Sequence, residues 1–130
     1  MKYFVETSAI IDFLRGDQKV IKLLGALEGD VTSSFVCMAE LYEGMYRSGN
    51  RIKLENYVLT YFKSLSQVFG LDESIAAKFG ELRSALKFKG NIIEDMDILI
   101  AATCLVYGLT LVTKNVKHFS RVGGLEIVSV

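Results

Sequence analysis

The feature that most constrains this chain is an abrupt change of hydrophobic period after residue 5. Tyr3, Phe4 and Val5 form a β-branched and aromatic run too short for a helix, and it reads as a buried strand. Glu6 stops the run, and Thr7 and Ser8 place hydroxyls where a helix N-cap is needed. Residues 9–14 then look helical, with Gly16 ending the turn. An acid therefore sits at the carboxyl end of the first strand, against a helix start. In an open parallel sheet that edge is where ligands bind. The plainer alternative is an exposed acid favoured by the helix dipole.

The same change recurs along the chain. Asp17 caps a helix over 18–27, residues 31–33 make a second strand, and Ser34 caps a helix over 35–47 that carries Glu40. Ser48, Gly49 and Asn50 break it before an amphipathic helix over 51–63. A third strand is expected over 68–71, and Asp72 opens a helix ended by Gly90. The most apolar helix covers 98–107, with Gly108 after its end. Strands follow at 111–113 and 126–128, with a loop or short helix over 114–119 between them. Strands alternating with helices predict an α/β domain over 1–130, with a central parallel sheet covered on both faces. The length is ample for a full core.

Composition narrows the class. The chain is 51% hydrophobic and has no proline, which excludes a disordered segment. Its longest apolar run, 98–108, falls short of the roughly 18 residues a membrane span needs and is broken by Thr103. No signal-peptide pattern opens it. Cys37 and Cys104 lie in apolar helical patterns without metal or redox spacing, so both read as packing residues in a cytoplasmic protein. Fifteen basic residues balance fifteen acids. That argues against a protein that merely coats nucleic acid, but not against a nuclease with a local basic patch. With His118 as the one histidine, no triad needing histidine in two roles is available.

Most of the acids fall at turns, caps or solvated helix faces. Glu6, Glu40 and Asp97 do not. Glu40 stands mid-helix among Val36, Cys37, Leu41 and Met45, and Asp97 precedes Ile98, Leu99, Ile100, Ala101 and Ala102. A carboxylate in apolar surroundings costs several kcal/mol unless paired. No base stands three or four residues from Glu40 or Asp97. A shared divalent cation relieves all three, and oxygen-only donors point to Mg²⁺ or Mn²⁺ rather than Zn²⁺. After the fourth strand, Asn115 is a candidate fourth polar member. Lys114, Lys117, His118 and Arg121 give that rim positive charge suited to phosphates.

The strings YFVETSAIIDFL, MAELYEG, DMDILIAATCLVYG and LVTKNVKHFSRVGGLEI, in this order, resemble a PIN domain, and more narrowly the VapC toxins of VapBC toxin–antitoxin pairs. The resemblance spans the whole chain. It implies a three-layer α/β/α sandwich and a Mg²⁺- or Mn²⁺-dependent endoribonuclease acting on RNA such as tRNA or rRNA. It also implies a homodimer held in check by a VapB-type antitoxin. The family's acids fall on Glu6, Glu40 and Asp97, the adjacent hydroxyl on Thr7 or Ser8, and the fourth polar position on Asn115. Asp95 is either an accessory acid or a cap. One departure stands out: the family pattern has Asp where this chain has Glu6. The added methylene shifts the ligand oxygens by roughly a bond length, while a working site tolerates about 0.5 Å. Weakened catalysis, or a preference for Mn²⁺, follows from that.

Two other readings compete. One is a PIN-like module that captures antitoxin or RNA without cutting. The other is a phosphoacceptor receiver domain, whose Thr-Lys end Thr113 and Lys114 resemble; it lacks a strand-end acceptor, because Asp72 reads as a helix cap. The apolar stripe of Tyr57, Tyr61 and Phe62, with Leu14 and Leu24 on neighbouring elements, offers a groove for a partner helix.

Overall fold

A computed structural model describes all 130 residues. Its strands are β1 (Lys2–Val5), β2 (Asp30–Ser34), β3 (Gln67–Phe69), β4 (Thr110–Thr113) and β5 (Ile127–Ser129). Its helices are α1 (Thr7–Leu14), α2 (Gln18–Gly25), α3 (Phe35–Ser48), α4 (Arg51–Ser64), α5 (Glu73–Phe88), α6 (Asp95–Tyr107) and α7 (Val116–Phe119). All strand pairs are parallel, in the order β3-β2-β1-β4-β5. Neighbouring residues on a strand point to opposite faces. Phe4 and Val5 are nonetheless both fully buried, as are Leu111 and Val112, so helices cover the sheet on both sides. This is the α/β sandwich expected from the alternation.

The strand order fixes where a ligand can enter. The chain fills one flank of β1 with β2 and β3, then crosses to the other flank with β4 and β5. The order reverses between β1 and β4, and beyond their carboxyl ends lies the crevice of an open α/β sheet. Tyr3, Phe4 and Val5 lie in register with Thr110, Leu111 and Val112. Glu6 and Thr113 therefore emerge side by side.

Two local details that shape the site differ from the sequence reading. Glu6 itself is the N-cap of α1, its carboxylate accepting the Ser8 amide at 3.1 Å, so Thr7 and Ser8 form the first helical turn. A carboxylate can fill that role as well as a hydroxyl because it meets the positive end of the dipole. α6 begins at Asp95, three residues before its apolar run, because acids in a first turn are stabilised by the same dipole. The expected caps at Asp17, Ser34 and Asp72 are all made.

α5 and α6 form an antiparallel hairpin. The Tyr107 hydroxyl, at the end of α6, donates to Asp72 at the start of α5. At the opposite end Arg83 Nε meets Asp95 Oδ1 at 2.8 Å. No helix is long and apolar enough to cross a membrane.

Candidate active site

Glu6 is 3% exposed, and its position follows from the end of β1. Its backbone amide continues the ladder onto the Val112 carbonyl at 3.0 Å, while its side chain folds back over α1. Ser8 Oγ donates to Oε1 at 2.5 Å, and Thr113 Oγ1 donates to the same oxygen. Both hydroxyls are themselves held by the loop after β4. The Lys114 amide donates to Ser8 Oγ at 3.1 Å, and the Asn115 amide donates to Thr113 Oγ1 at 2.9 Å. Two backbone N–H groups thus reach one carboxylate oxygen through two hydroxyls.

Glu40 comes from the second turn of α3, with Leu41 behind it in the core. Thr7 Oγ1 donates to its Oε1 at 2.6 Å, tying it to the residue next to Glu6. Burial raises the Glu40 carboxyl above its ordinary value. The Thr7 bond opposes that shift, and the charges of Glu6, Glu94 and Glu43 add to it. Asp97, in the first turn of α6, is pushed up to about 6 by burial first and then by Glu40, Glu6 and Glu94. His118 is the one neighbour pulling it down.

The structure therefore brings Glu6, Glu40 and Asp97 into one mutually repelling group. The chain's ion pairs all lie elsewhere: Arg47–Glu43, Arg51–Glu55, Lys78–Glu81, Arg83–Asp95 and Lys114–Asp12. The donor set is carboxylate and hydroxyl oxygen, the chemistry of a hard divalent cation. The residues fit such an ion in kind. They do not form a finished cage, since no three of the His, Cys, Asp and Glu side chains close to metal-holding range. Hydroxyls of Ser8 and Thr113 already occupy one oxygen of Glu6.

The remaining expected residues fall into two groups. Asn115 is exposed beside the site, preceding α7 without a side-chain capping bond. Lys117 and His118 are exposed on α7, and His118 lies within charge range of Asp97. Lys114 Nζ is drawn to Asp12 at 2.8 Å, and Arg121 Nη1 donates to the Ile92 carbonyl at 2.8 Å. Asp95 is taken by Arg83 and lies outside the group. Thr7 and Ser8, the hydroxyls expected beside the first acid, commit their protons to Glu40 and Glu6.

Sequence reasoning missed two contributors. Thr113, fully buried, is read as a strand end until β4 is known to lie beside β1. Glu94, the exposed N-cap of α6, adds to the field on both Glu40 and Asp97.

An acid-lined crevice at the reversal point of a five-stranded parallel sheet defines a class of site built for a cation or a phosphate. The family model described as "PIN domain" matches residues 3–125, and the chain belongs to the PIN-domain family. Among its relatives is "Ribonuclease VapC1" of Methanocaldococcus jannaschii, 32% identical over 97% of this chain and 86% of that protein. A second "Ribonuclease VapC1", from Rickettsia felis, is 34% identical over 100% of this chain and 97% of that one. Of solved structures, VapBC2 from Rickettsia felis bound to a DNA fragment from its promoter superimposes with a TM-score of 0.93. It is 26% identical and covers 100% of this chain and 99% of that one. VapBC-1 from nontypeable Haemophilus influenzae gives a TM-score of 0.87 at 26% identity, covering 99% of this chain and 98% of that one.

Proposed function

We propose that this chain is the endoribonuclease toxin of a VapBC-type pair and cleaves RNA with the help of a divalent cation, Mg²⁺ or Mn²⁺. The observation that carries this is the cluster of Glu6, Glu40 and Asp97, half-buried to buried, charge-coupled and without a basic partner. The ribonuclease names of its relatives supply the substrate class.

A divalent cation bound there supplies positive charge for the phosphoryl group in flight and acidifies an attacking water. The chain's own residues do the rest. Glu40 and Asp97 would hold such an ion, with Glu6 as a third acid, while Thr7 fixes the Glu40 carboxylate. Asn115 orients the water from the loop after β4. Lys117 and His118 receive the scissile phosphate's neighbours, while Lys114 and Arg121 shape the rim. Water adds to phosphorus in line as the bond to the 3′ oxygen breaks, leaving a 5′-phosphate and a 3′-hydroxyl. Glu40→Gln is the direct test: it abolishes metal-dependent cleavage of RNA, and undiminished cleavage refutes the assignment.

A second reading is favoured by Glu6, whose carboxylate already accepts from Ser8 twice and from Thr113. In that reading the site holds metal poorly and the protein captures partners without cutting. Glu6→Asp separates the two. A gain in Mg²⁺-supported cleavage assigns the weakness to one methylene, whereas no gain with tight partner binding supports the binding module.

The partner expected is a VapB-type antitoxin, since the matching structures are VapBC assemblies. A groove of about 230 Å³ runs between α1, α3 and α4, lined by Leu14, Leu41, Leu54, Tyr57 and Val58 and reaching Glu40. An amphipathic segment laid there brings a basic side chain to the acids. Tyr61, Phe62 and Leu24 lie outside that lining: Phe62 is buried in the core, and Tyr61 packs against Phe13. A homodimer completes the reading. Exposed Phe35, Leu71 and Met96 around a cavity of about 260 Å³ are apolar surface for it. Light scattering on the free chain and on co-expressed chain plus antitoxin reads both states. The free, buried thiols Cys37 and Cys104 suit a cytoplasmic, reducing home.

A further inference from the structure

The α5–α6 hairpin turns at its tip over residues 88–94. It carries Phe88, 94% exposed, and Ile92, 82% exposed. Phe88 stands between Lys87 and Lys89, where α5 ends. Lysines there suit the negative end of the helix dipole, but nothing in the free chain explains an aromatic ring held in water.

The charge distribution supplies the context. No acid occurs between Glu81 and Glu94, nor between Asp97 and Glu126. These two stretches hold Arg83, Lys87, Lys89, Lys114, Lys117 and Arg121. They meet in space where Arg121 donates to the Ile92 carbonyl. Arg83 and Lys114 are paired with Asp95 and Asp12, whereas Lys87, Lys89 and Lys117 have no acidic partner. A chain of zero net charge thus gathers unpaired basic charge on one flank of its acidic crevice, with His118 at the boundary against Asp97.

We propose that this tip is a stacking platform for a single-stranded segment of the RNA substrate. Phe88 takes one base on its ring, and Lys87, Lys89 and Lys117 take the adjoining phosphates. Aromatic rings interleaved with basic side chains are how proteins hold single strands without reading sequence. A protein partner is the poorer fit, because lysine is depleted where proteins bury apolar contacts. The inference rests on the ribonuclease reading and deepens it. Lys117 is next to His118, whose charge reaches Asp97, so a strand held on the platform directs a neighbouring phosphodiester into the crevice.

The test is fluorescence anisotropy of an end-labelled, mixed-sequence single-stranded RNA, with every variant built on Glu40→Gln to prevent cleavage. Phe88→Ala weakens binding roughly fivefold to a hundredfold, and Phe88→Trp restores it. Lys87→Ala with Lys89→Ala flattens the slope of log affinity against log salt by about 1.4. Mn²⁺ binding, measured by calorimetry in the Phe88→Ala chain with native Glu40, is unchanged. Undiminished RNA affinity in Phe88→Ala overturns the platform. Loss of a dimer or of antitoxin binding, with RNA affinity intact, also overturns it by giving the face to a protein. Failure of the ribonuclease reading shows separately, as cleavage that survives Glu40→Gln.

Discussion

Glu6 is buried without a basic partner, and burying a lone carboxylate costs several kcal/mol. Three donors offset that cost, of which Thr113 is the one supplied from a different strand. Thr113→Val keeps the shape and removes the donor. It lowers unfolding free energy in urea by about 1–3 kcal/mol, while Thr113→Ser retains most of it. Asp97 makes a second prediction. Its folded pKa, about 6, lies above the ordinary carboxylate value, so the folded chain prefers its neutral form. Without metal, the stability it contributes is fully present below about pH 4, fades as pH rises through 6, and stays lost above that. Asp97→Asn therefore raises the melting temperature in EDTA at pH 7.5 and leaves it nearly unchanged at pH 4. Protons compete with the cation for the same oxygens, so Mn²⁺ affinity of the native chain falls from pH 7.5 to 5.5. The three acids were legible in the sequence because no base stood within a helical turn of Glu40 or Asp97. Thr113 was not, because its role depends on which strand lies beside β1.

At the scale of elements, each strand–helix junction works through its cap, and these caps were mostly readable: Asp17, Ser34 and Asp72 all accept amides of the turn they precede. Element ends were less readable where two forces compete. α6 starts before its apolar face because the dipole favours its acids, and Glu6 displaces the hydroxyls as cap for the same reason. The turn into β2 carries a tighter constraint. Gly29 has φ near +140°, and an added Cβ would lie 2.2 Å from the Met1 carbonyl oxygen, which accepts the Asp30 amide. Gly29→Ala must break that close approach and the bond that sets the β1–β2 register. It destabilises the fold by about 1–3 kcal/mol in thermal or urea unfolding, far more than Gly44→Ala, which meets open space.

For the whole molecule, alternation of strands and helices announced a parallel sheet but not its order. Strand order is a non-local property, and no local residue pattern records that β4 crosses to the far side of β1. That crossing brings the end of β4 to Glu6 and lays the α7 rim beside the crevice. Net charge was equally silent, since zero overall conceals acids in the crevice and bases on its flank. The proposed cation site is built by Glu6, Glu40 and Asp97 together. Its most direct test is calorimetric titration of the purified chain with Mn²⁺ at pH 7.5, beside Asp97→Asn. A saturable binding heat in the native chain, abolished or weakened at least tenfold by Asp97→Asn, is the predicted result. No binding by the native chain, or equal binding by both, contradicts it and leaves the three acids without a cation.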